Sequence, residues 1–249
     1  MPHDPVSLIL IFTSLLFIGL AKGGLSGLGM IAMPVMTLVF PPVEAAAIMM
    51  PLLVVQDVFS VWAFRHSWNK AIILWMMPGA ILGVATAALI ASMVSAIVIV
   101  GLLGFISLLF GLWQLWVSYH DLPAKPLSRH EWPGSIFGFF SGFTSQIAHA
   151  GAPPFQMWVI PKKLPHVEFV GTTCVMFALV NWIKVPAFVA LGAFSRETLT
   201  LALLFLPVTS LCTFLGIWLV KRVDQRSFYL LANILLIIMG GRLLWEAVG

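Results

Sequence analysis

The chain alternates long apolar runs with short polar stretches, which is typical of a membrane-spanning helical protein. Most runs hold about 20 residues, enough for one helix to cross a hydrocarbon core of roughly 30 Å. The sequence therefore predicts an all-α polytopic membrane protein with about eight transmembrane segments. Two of the apolar runs are broken into two pieces each, 6–20 with 25–39 and 133–148 with 153–160. The remaining segments cover residues 44–64, 70–91, 94–119, 167–191, 197–220 and 228–247.

The first apolar run, residues 6–39, is interrupted by a polar and glycine-rich stretch over residues 22–34. As one straight helix the run would be about 51 Å long, well beyond the thickness of the membrane core. Its glycines and Pro34 predict a break near the middle. Backbone polar groups exposed at membrane depth must be received by protein or by a water-filled cavity. The stretch is therefore either a tight helix-packing seam or a binding site.

Composition supports the membrane assignment and narrows the function. The chain is 61% hydrophobic and 9% charged, against roughly 25% charged residues in a soluble domain. Its net charge of +4 is assigned to the loops. The chain has no basic run with interleaved aromatic residues, so no nucleic-acid partner is expected.

Cys174 and Cys212 form no metal-ligand pattern, so no metal or cofactor is expected. Without a phosphate-binding P-loop the chain is not expected to be an ATP-driven pump. The N-terminus lacks the basic region of a cleaved signal peptide, so the first segment is expected to stay in the membrane.

The second half of the chain repeats the first. Three blocks of matching residues recur in the same order, with offsets that change only in or near loops, where insertions cost little. We therefore predict a first repeat over residues 1–119, a linker over 120–132 and a second repeat over 133–249. The matches are Gly19, Gly23, Ser26 and Pro34 with Gly138, Gly142, Ser145 and Pro153, Val43, Glu44 and Asp57 with Val167, Glu168 and Asn181, and Pro78, Gly111 and Trp116 with Pro207, Gly240 and Trp245.

Loop charges predict the orientation of the chain in its membrane. Most Lys and Arg residues lie in 65–70, the linker, 162–163 and 221–226, which places these loops in the cytoplasm and both termini outside. Each half then crosses the membrane an odd number of times, so the second repeat is inverted relative to the first. The charges fit re-entrant hairpins and short full spans equally well. Inverted repeats with broken helices at matching positions indicate a secondary transporter.

The candidate site lies where the two broken stretches meet. Residues 141–154 are the repeat mate of residues 22–34, and half-helix N-termini at the breaks suit a small oxyanion. Lys22 adds a positive charge, and His149 adds one when protonated. The alternative is that the G-x-x-x-G spacings form packing seams, as Gly79 and Gly83 do. The predicted substrate-binding residues are Lys22, Gly23, Gly24, Ser26, Gly27, Ser145, Gln146, His149 and Gly151, with the helix breaks at Pro34 and Pro153.

Three further polar residues fall inside predicted membrane segments. Asp57 lies in the middle of its helix, its repeat mate is Asn181, and Lys184 follows one turn later. An ionisable group at this depth must face the bundle interior or find a partner. One interpretation is a buried ion pair of Asp57 with Lys22 or Lys184. The other makes Asp57 or His149 a proton carrier and Lys184 a second anchor for the anion.

These glycine stretches resemble those of the sulfite exporter TauE/SafE family. The resemblance rests on Gly23-Gly-Leu-Ser-Gly-Leu-Gly29 followed by Pro34, on residues 142–153, and on eight segments in a chain of 249 residues. It covers nearly the whole chain, although its motifs are loose. It implies a bacterial inner-membrane permease that moves sulfite, sulfoacetate or a related sulfur-containing anion outward. It supplies no ligand motif, so the site residues rest on the physical argument above.

The predicted function is a secondary transporter, not an enzyme, that exports a small sulfur oxyanion by alternating access. Its partners are the lipid bilayer and the anion, with protons a candidate coupling ion and homo-oligomerisation left open. The Gly-Leu-Ser-Gly sequence at residues 24–27 resembles that of intramembrane proteases, but its serine recurs at Ser145, as a symmetric binding site requires. Two alternatives are a permease for a cation or neutral metabolite that uses Asp57, and a non-transporting membrane-embedded enzyme or assembly partner.

Overall fold

The computed structural model describes residues 4–25, 28–120, 122–128, 130–220, 222 and 225–248, with the backbone alone for residues 92, 225–229, 231 and 232. The described residues form ten α-helices joined by short connections. The helices are α1 (Pro5–Lys22), α2 (Gly29–Met36), α3 (Pro42–Phe64), α4 (Lys70–Ile90), α5 (Ala96–Tyr119), α6 (Pro133–Ala148), α7 (Ala152–Val159), α8 (His166–Ala190), α9 (Arg196–Leu219) and α10 (Gln225–Val248).

Six helices of the described part are long and apolar enough to cross a membrane, namely α1, α3, α4, α5, α8 and α9. This confirms the all-α polytopic membrane class. Helices α2 and α7 have only eight residues each, so either one is about 12 Å long and far too short to span.

Both broken runs fold back on themselves as antiparallel helical hairpins. We call α1–α2 hairpin 1 and α6–α7 hairpin 2. In hairpin 1, Ser14 Oγ donates to the carbonyl oxygen of Ala32 at 2.7 Å. In hairpin 2, Lys162 just beyond α7 pairs with Glu131 just before α6, at 2.7 Å. One prediction is wrong in detail: the chain turns between Lys22 and Gly29, whereas Pro34 lies inside α2. Glycine, not proline, makes that break.

The two hairpin tips turn by different backbone devices. Helix α1 ends with Gly24 at φ 121°, and the amides of Gly24 and Leu25 bond the carbonyls of Ala21 and Leu20, which is a Schellman motif. Helix α6 ends with His149 at φ 51°, in the left-handed region that glycine adopts freely and histidine at a cost. A bulky residue is therefore held in a strained conformation at the tip of hairpin 2.

The helices pack in a symmetric set of pairs around a central pair, α3 and α8. Helix α1 packs on α9, α4 on α6, and α5 on α10. Exchanging α1–α5 for α6–α10 converts the α1–α9 pair into the α6–α4 pair and leaves the other two pairs unchanged. Each hairpin therefore leans on a long helix of the other half of the chain.

Glycines allow these pairs to approach to backbone contact. A methyl group added at Gly79 or Gly138 would overlap a carbonyl oxygen across the α4–α6 contact. At Gly23 it would lie 2.5 Å from the Cα of Gly216 on α9. The packing-seam interpretation therefore holds for Gly23 as well as for Gly79 and Gly83.

The bundle has two ends, which we call the linker end and the far end. The linker end holds the linker, the Glu131–Lys162 pair and the bond from Asn69 Nδ2 to Glu168 Oε1 at 2.8 Å. Burial opposes ionisation of Glu131, but hydrogen bonds from Lys162 and Ser128 outweigh it and hold the pKa of this carboxyl below its usual range. The far end holds the starts of α3, α5 and α9.

Candidate functional site

Lys22, the last residue of α1, is fixed to α3 by both its backbone and its side chain. Its carbonyl oxygen accepts a 2.6 Å hydrogen bond from Ser60 Oγ, and its ammonium forms an ion pair with Asp57. Asp57 and Ser60 are three residues apart and therefore share one face of α3. The carboxylate of Asp57 is almost completely buried, with 1% of its side chain exposed.

Asp57 begins a hydrogen-bonded chain that crosses from α3 to α8. Asn181 Nδ2 donates to its second carboxylate oxygen at 2.7 Å. Asn181 Oδ1 in turn accepts from Lys184 Nζ at 3.2 Å. Both oxygens of Asp57 are therefore occupied, and the two lysines are linked through one aspartate and one asparagine.

Lys184 is fully buried, and its three ammonium protons match three acceptors. These are Asn181 Oδ1, Ser145 Oγ at 3.2 Å and His149 Nδ1 at 2.7 Å. Because an ammonium has no lone pair, His149 Nδ1 must accept, which places the imidazole proton on Nε2. That nitrogen lies 3.0 Å from the carbonyl oxygen of Ala46, to which it donates. His149 is therefore a neutral bridge between Lys184 and α3.

The buried charges of this cluster do not cancel. Lys22 and Lys184 contribute +2 and Asp57 contributes −1, which leaves +1 when all three are ionised. No described carboxylate lies within ion-pair distance of Lys184. A buried charge without a counter-charge is costly, so the cluster favours the arrival of one negative charge.

A cavity of about 90 Å³ lies beside this cluster, between the two hairpins. We call it the central cavity. A water molecule needs on the order of 10–15 Å³, so several waters or one small polyatomic ion fit inside. Polar groups of both hairpins and of α8 reach it, and its walls are otherwise mostly apolar. The lining includes Lys22, Gly29, Met30, Met33, Met49, Leu53, Ser145, His149, Ala152, Thr173, Cys174, Phe177 and Asn181.

Two hydrogen-bond donors at this cavity are available to a ligand. Lys22 Nζ uses one proton on Asp57, and its other two have no acceptor among the described residues. Ser145 Oγ accepts from Lys184, and within the described part of the chain its own proton has no acceptor. Lys22 comes from hairpin 1 and Ser145 from hairpin 2. An oxyanion between them would bond to both halves of the protein.

The helix ends contribute less than the sequence suggested. Gly29 and Met30, the first turn of α2, line the central cavity, so the partial positive charge of that helix end faces it. Helix α7 also begins at the cavity, but its second and third residues are Pro153 and Pro154. Proline has no N–H, so α7 cannot present the row of amides that was expected.

The structure places the predicted site residues in different surroundings. Lys22, Ser145, His149 and Asn181 line the central cavity, and Asp57 and Lys184 lie directly behind it. Gly23, Gly24 and Gly151 pack closely against neighbouring residues and Gln146 faces a different cavity, so the predicted binding role of these four stays a prediction. Ser26 and Gly27 lie outside the described residues. Pro153 is in the first turn of α7, directly after the turn of hairpin 2.

Sequence reasoning missed several residues that shape the site. Ser60 and the carbonyl of Ala46 hold the two hairpin tips, and Thr173, Cys174 and Phe177 line the cavity. The sequence could have indicated Ser60, since it lies about one turn after Asp57 on the same helix face. The others are ordinary residues of apolar segments, and nothing in their spacing distinguishes them.

A second, larger cavity of about 540 Å³ opens at the far end. We call it the far-end cavity. It is lined by the start of α3, by Gln146 and Ile147 of hairpin 2, and by Phe188 near the end of α8. Ala46 lines it as well, and Ala46 is the residue whose carbonyl accepts from His149. The two cavities therefore lie on opposite sides of the tip of hairpin 2.

Comparison with known proteins points to one family. The family model described as "Sulfite exporter TauE/SafE" matches residues 11–243, which include the whole polar cluster, hairpin 2 and hairpin 1 from residue 11 onward. The comparisons with curated proteins and with solved structures find no match.

Proposed function

The chain belongs to the sulfite exporter TauE/SafE family, and we propose that it is a secondary transporter that exports sulfite or a similarly small sulfur oxyanion. Family membership supports a multi-pass membrane transporter of sulfur anions. The choice of a small oxyanion is supported by the central cavity, whose volume suits one sulfur and three oxygen atoms better than a bulky organic anion.

The buried excess positive charge carries the proposal. Lys22 and Lys184 share one aspartate, and the central cavity lies where a second negative charge would balance them. Bound sulfite would accept hydrogen bonds from Lys22 and Ser145, with the end of α2 and Lys184 adding positive potential. Its oxygens would then replace the bonds that they lose on leaving water.

The proposed mechanism is alternating access between two inverted repeats, residues 1–119 and 133–249. The symmetric helix pairs support it, because each hairpin packs on the other half and a rocking motion would carry both hairpins together. The positive loops at the linker end support a cytoplasmic linker and periplasmic termini. Export would then run from the linker end to the far end, by way of the far-end cavity.

The alternative of a cation permease built on Asp57 is less well supported. Both carboxylate oxygens already accept hydrogen bonds, one from Lys22 and one from Asn181. A cation at Asp57 would have to displace Lys22 while Lys184 repelled it nearby.

Sulfite efflux from proteoliposomes tests the proposal. Wild-type protein should release trapped sulfite faster than empty liposomes, and Ser145→Ala should slow release roughly tenfold. Loss of one hydrogen bond to a charged ligand is worth about 1.5–3 kcal/mol, which is consistent with that factor. Ser107→Ala is the matched control, because Ser107 is also a fully buried serine but does not line the cavity.

Two results would contradict the proposal. One is sulfite efflux that equals that of empty liposomes for active, folded protein. The other is a thermal-shift panel in which cations stabilise the purified protein while sulfite and other oxyanions do not. A folded Ser145→Ala protein with wild-type efflux would remove Ser145 from the site without excluding sulfite as the substrate.

A further inference from the structure

The central and far-end cavities are separated by a thin partition at the tip of hairpin 2. Ser145 and His149 face the central cavity, and Gln146 and Ile147 face the far-end cavity. The imidazole of His149 also stacks on the ring of Phe188, with centroids 5.8 Å apart and planes 26° apart. Phe188 lines the far-end cavity, so the imidazole lies between the two spaces.

Two hydrogen bonds hold the imidazole in this position. Its Nε2–H donates to the carbonyl of Ala46 on α3, and its Nδ1 accepts from Lys184 on α8. The ring thus joins hairpin 2 to the central α3–α8 pair. The backbone of His149 is left-handed, with φ 51°. A residue other than glycine seldom adopts this conformation unless its surroundings hold it there.

An anion in the central cavity would compete for the bond that Lys184 gives to His149. Lys184 has no proton to spare, since Asn181, Ser145 and His149 use all three. A charged oxygen is a better acceptor for an ammonium than a neutral imidazole nitrogen. Lys184 lies directly behind the wall of the central cavity, so an anion that moves from Lys22 and Ser145 to Lys184 would release one of the two bonds that fix the ring.

We propose that His149 is the gate between the central and far-end cavities, and that an anion opens it by taking over the Lys184 proton now given to the imidazole. This rests on the proposed function for the identity of the anion, although the gate itself is a property of the fold. It assigns His149 a role other than that of a ligand: an anion bound to Lys184 and a closed gate exclude each other.

The native Cys174 provides a reporter for the gate. It lines the central cavity, whereas Cys212, the other described cysteine, is removed by Cys212→Ser. A small membrane-impermeant cationic thiosulfonate, which cannot act as the opening anion, is applied to intact spheroplasts and, separately, to inverted vesicles. Mass spectrometry then gives the rate of Cys174 modification from each side. With the gate closed and no anion added, modification from the far-end side should be slow.

His149→Gly is the decisive variant because it removes the ring and relieves the positive φ at the same time. Each lost hydrogen bond is worth roughly fivefold in the open-to-closed ratio, so labelling from the far-end side should rise roughly 20-fold. His149→Asn also tolerates the left-handed backbone but cannot reach both partners, and it should rise similarly. Ile147→Ala, the control on the far-end face of the same tip, should leave the rate unchanged.

Sulfite affinity, measured by calorimetry on purified protein, tests the competition. His149→Gly frees the third proton of Lys184, so the apparent Kd for sulfite should fall severalfold. If His149 were a ligand of the anion, the Kd would rise instead, and that result would overturn the competition.

Equal far-end labelling of wild type and both His149 variants would overturn the gate, as would fast labelling of wild type without an anion. Labelling needs no transported substrate, so it reports on the gate even if sulfite is not transported. Conversely, sulfite efflux with an unresponsive Cys174 would retain the proposed function and reject the gate.

Discussion

The buried Lys22–Asp57 pair gives the sharpest test of how charge is balanced in this membrane core. Wild type has two lysines and one aspartate in the cluster, which is a net charge of +1 when all three are ionised. Lys22→Met leaves Asp57 and Lys184 and brings the net charge to 0, whereas Asp57→Asn leaves both lysines and raises it to +2. The double variant returns to +1, with Lys184 alone.

These charges set the expected order of stability. Breaking a buried ion pair costs about 3–5 kcal/mol, because one charge is left uncompensated. Lys22→Met should lie near the lower limit, since Asp57 keeps its bond from Asn181 and Lys184 lies just beyond. Asp57→Asn should lie near the upper limit. The double variant should lose only about 1 kcal/mol, since replacing a whole buried pair by neutral groups is often nearly neutral.

Equilibrium unfolding in mixed micelles, with each variant measured against wild type, gives the coupling energy. Additive effects would give a loss of about 8 kcal/mol in the double variant, and that outcome would refute the pairing argument. The reverse order of the single variants would refute the part assigned to Lys184.

The double variant also separates stability from transport. If Lys22 binds the anion, the double variant should fold but should export sulfite about tenfold more slowly than wild type. The reason is that the anion loses a hydrogen bond from a charged donor. Wild-type efflux from the double variant would instead make Lys22 a structural partner of Asp57 only.

Three further predictions concern packing, an orphaned hydroxyl and pH. Gly240→Ala should destabilise the protein by about 3 kcal/mol, because a methyl group there would lie 2.6 Å from a backbone nitrogen of α5. At the neighbouring Gly241 an added methyl group would meet no described side chain or neighbouring helix within 4 Å, so Gly241→Ala should stabilise the protein by up to about 1 kcal/mol. Ser107→Ala should raise the free energy of unfolding by about 1 kcal/mol, since the buried hydroxyl has no hydrogen-bond partner among the described residues; a lower free energy of unfolding would contradict this. Glu131 has a lowered pKa in the folded state, so its pairing with Lys162 stabilises the protein above the usual carboxyl pKa of 4.5 and ceases to do so as the pH falls through the folded pKa. The melting temperatures of wild type and Glu131→Gln should therefore differ at pH 7, and the difference should shrink as the pH falls below 4.5; a difference that does not change with pH would contradict the assignment.

Some features of the fold follow from local chemistry, and the sequence predicts them well. The helix from Pro133 to Ala148 begins and ends at the predicted residues, because Pro133 suits a first helical turn and polar residues flank the run. The breaks in both hairpins were predicted as well, since glycines and prolines act on their own backbone whatever surrounds them.

The identity of the break residue was less accessible. Pro34 was expected to interrupt its run, yet it lies in a helix of eight residues that begins five positions earlier. Pro34 is the sixth residue of α2, so it removes the amide that would bond the carbonyl of Met30, yet the helix continues past it to Met36. The chain turns where Gly24 allows a positive φ, a preference that the sequence contains but does not rank above that of proline.

The candidate site divides in the same way. Asp57, Asn181, Lys184, Lys22 and His149 were recognised because polar groups at membrane depth are expensive and stand out in an apolar run. Their partners were not. Lys22 and Lys184 were equal candidates for Asp57, and only the structure assigns the ion pair to Lys22 and a bridging asparagine to Lys184.

By itself the sequence determined that this chain is an all-helical membrane protein with two broken runs and a few buried polar residues. Each of those properties depends on composition and backbone preference within a single segment. Only the tertiary structure decided that Gly23 packs on α9, that Gln146 faces the far end and that His149 bonds Ala46. The physical reason is that these helices are apolar on nearly every side, so the pattern that identifies a helix carries no signal for its rotation or depth against its neighbours. Those two quantities decide which polar groups meet.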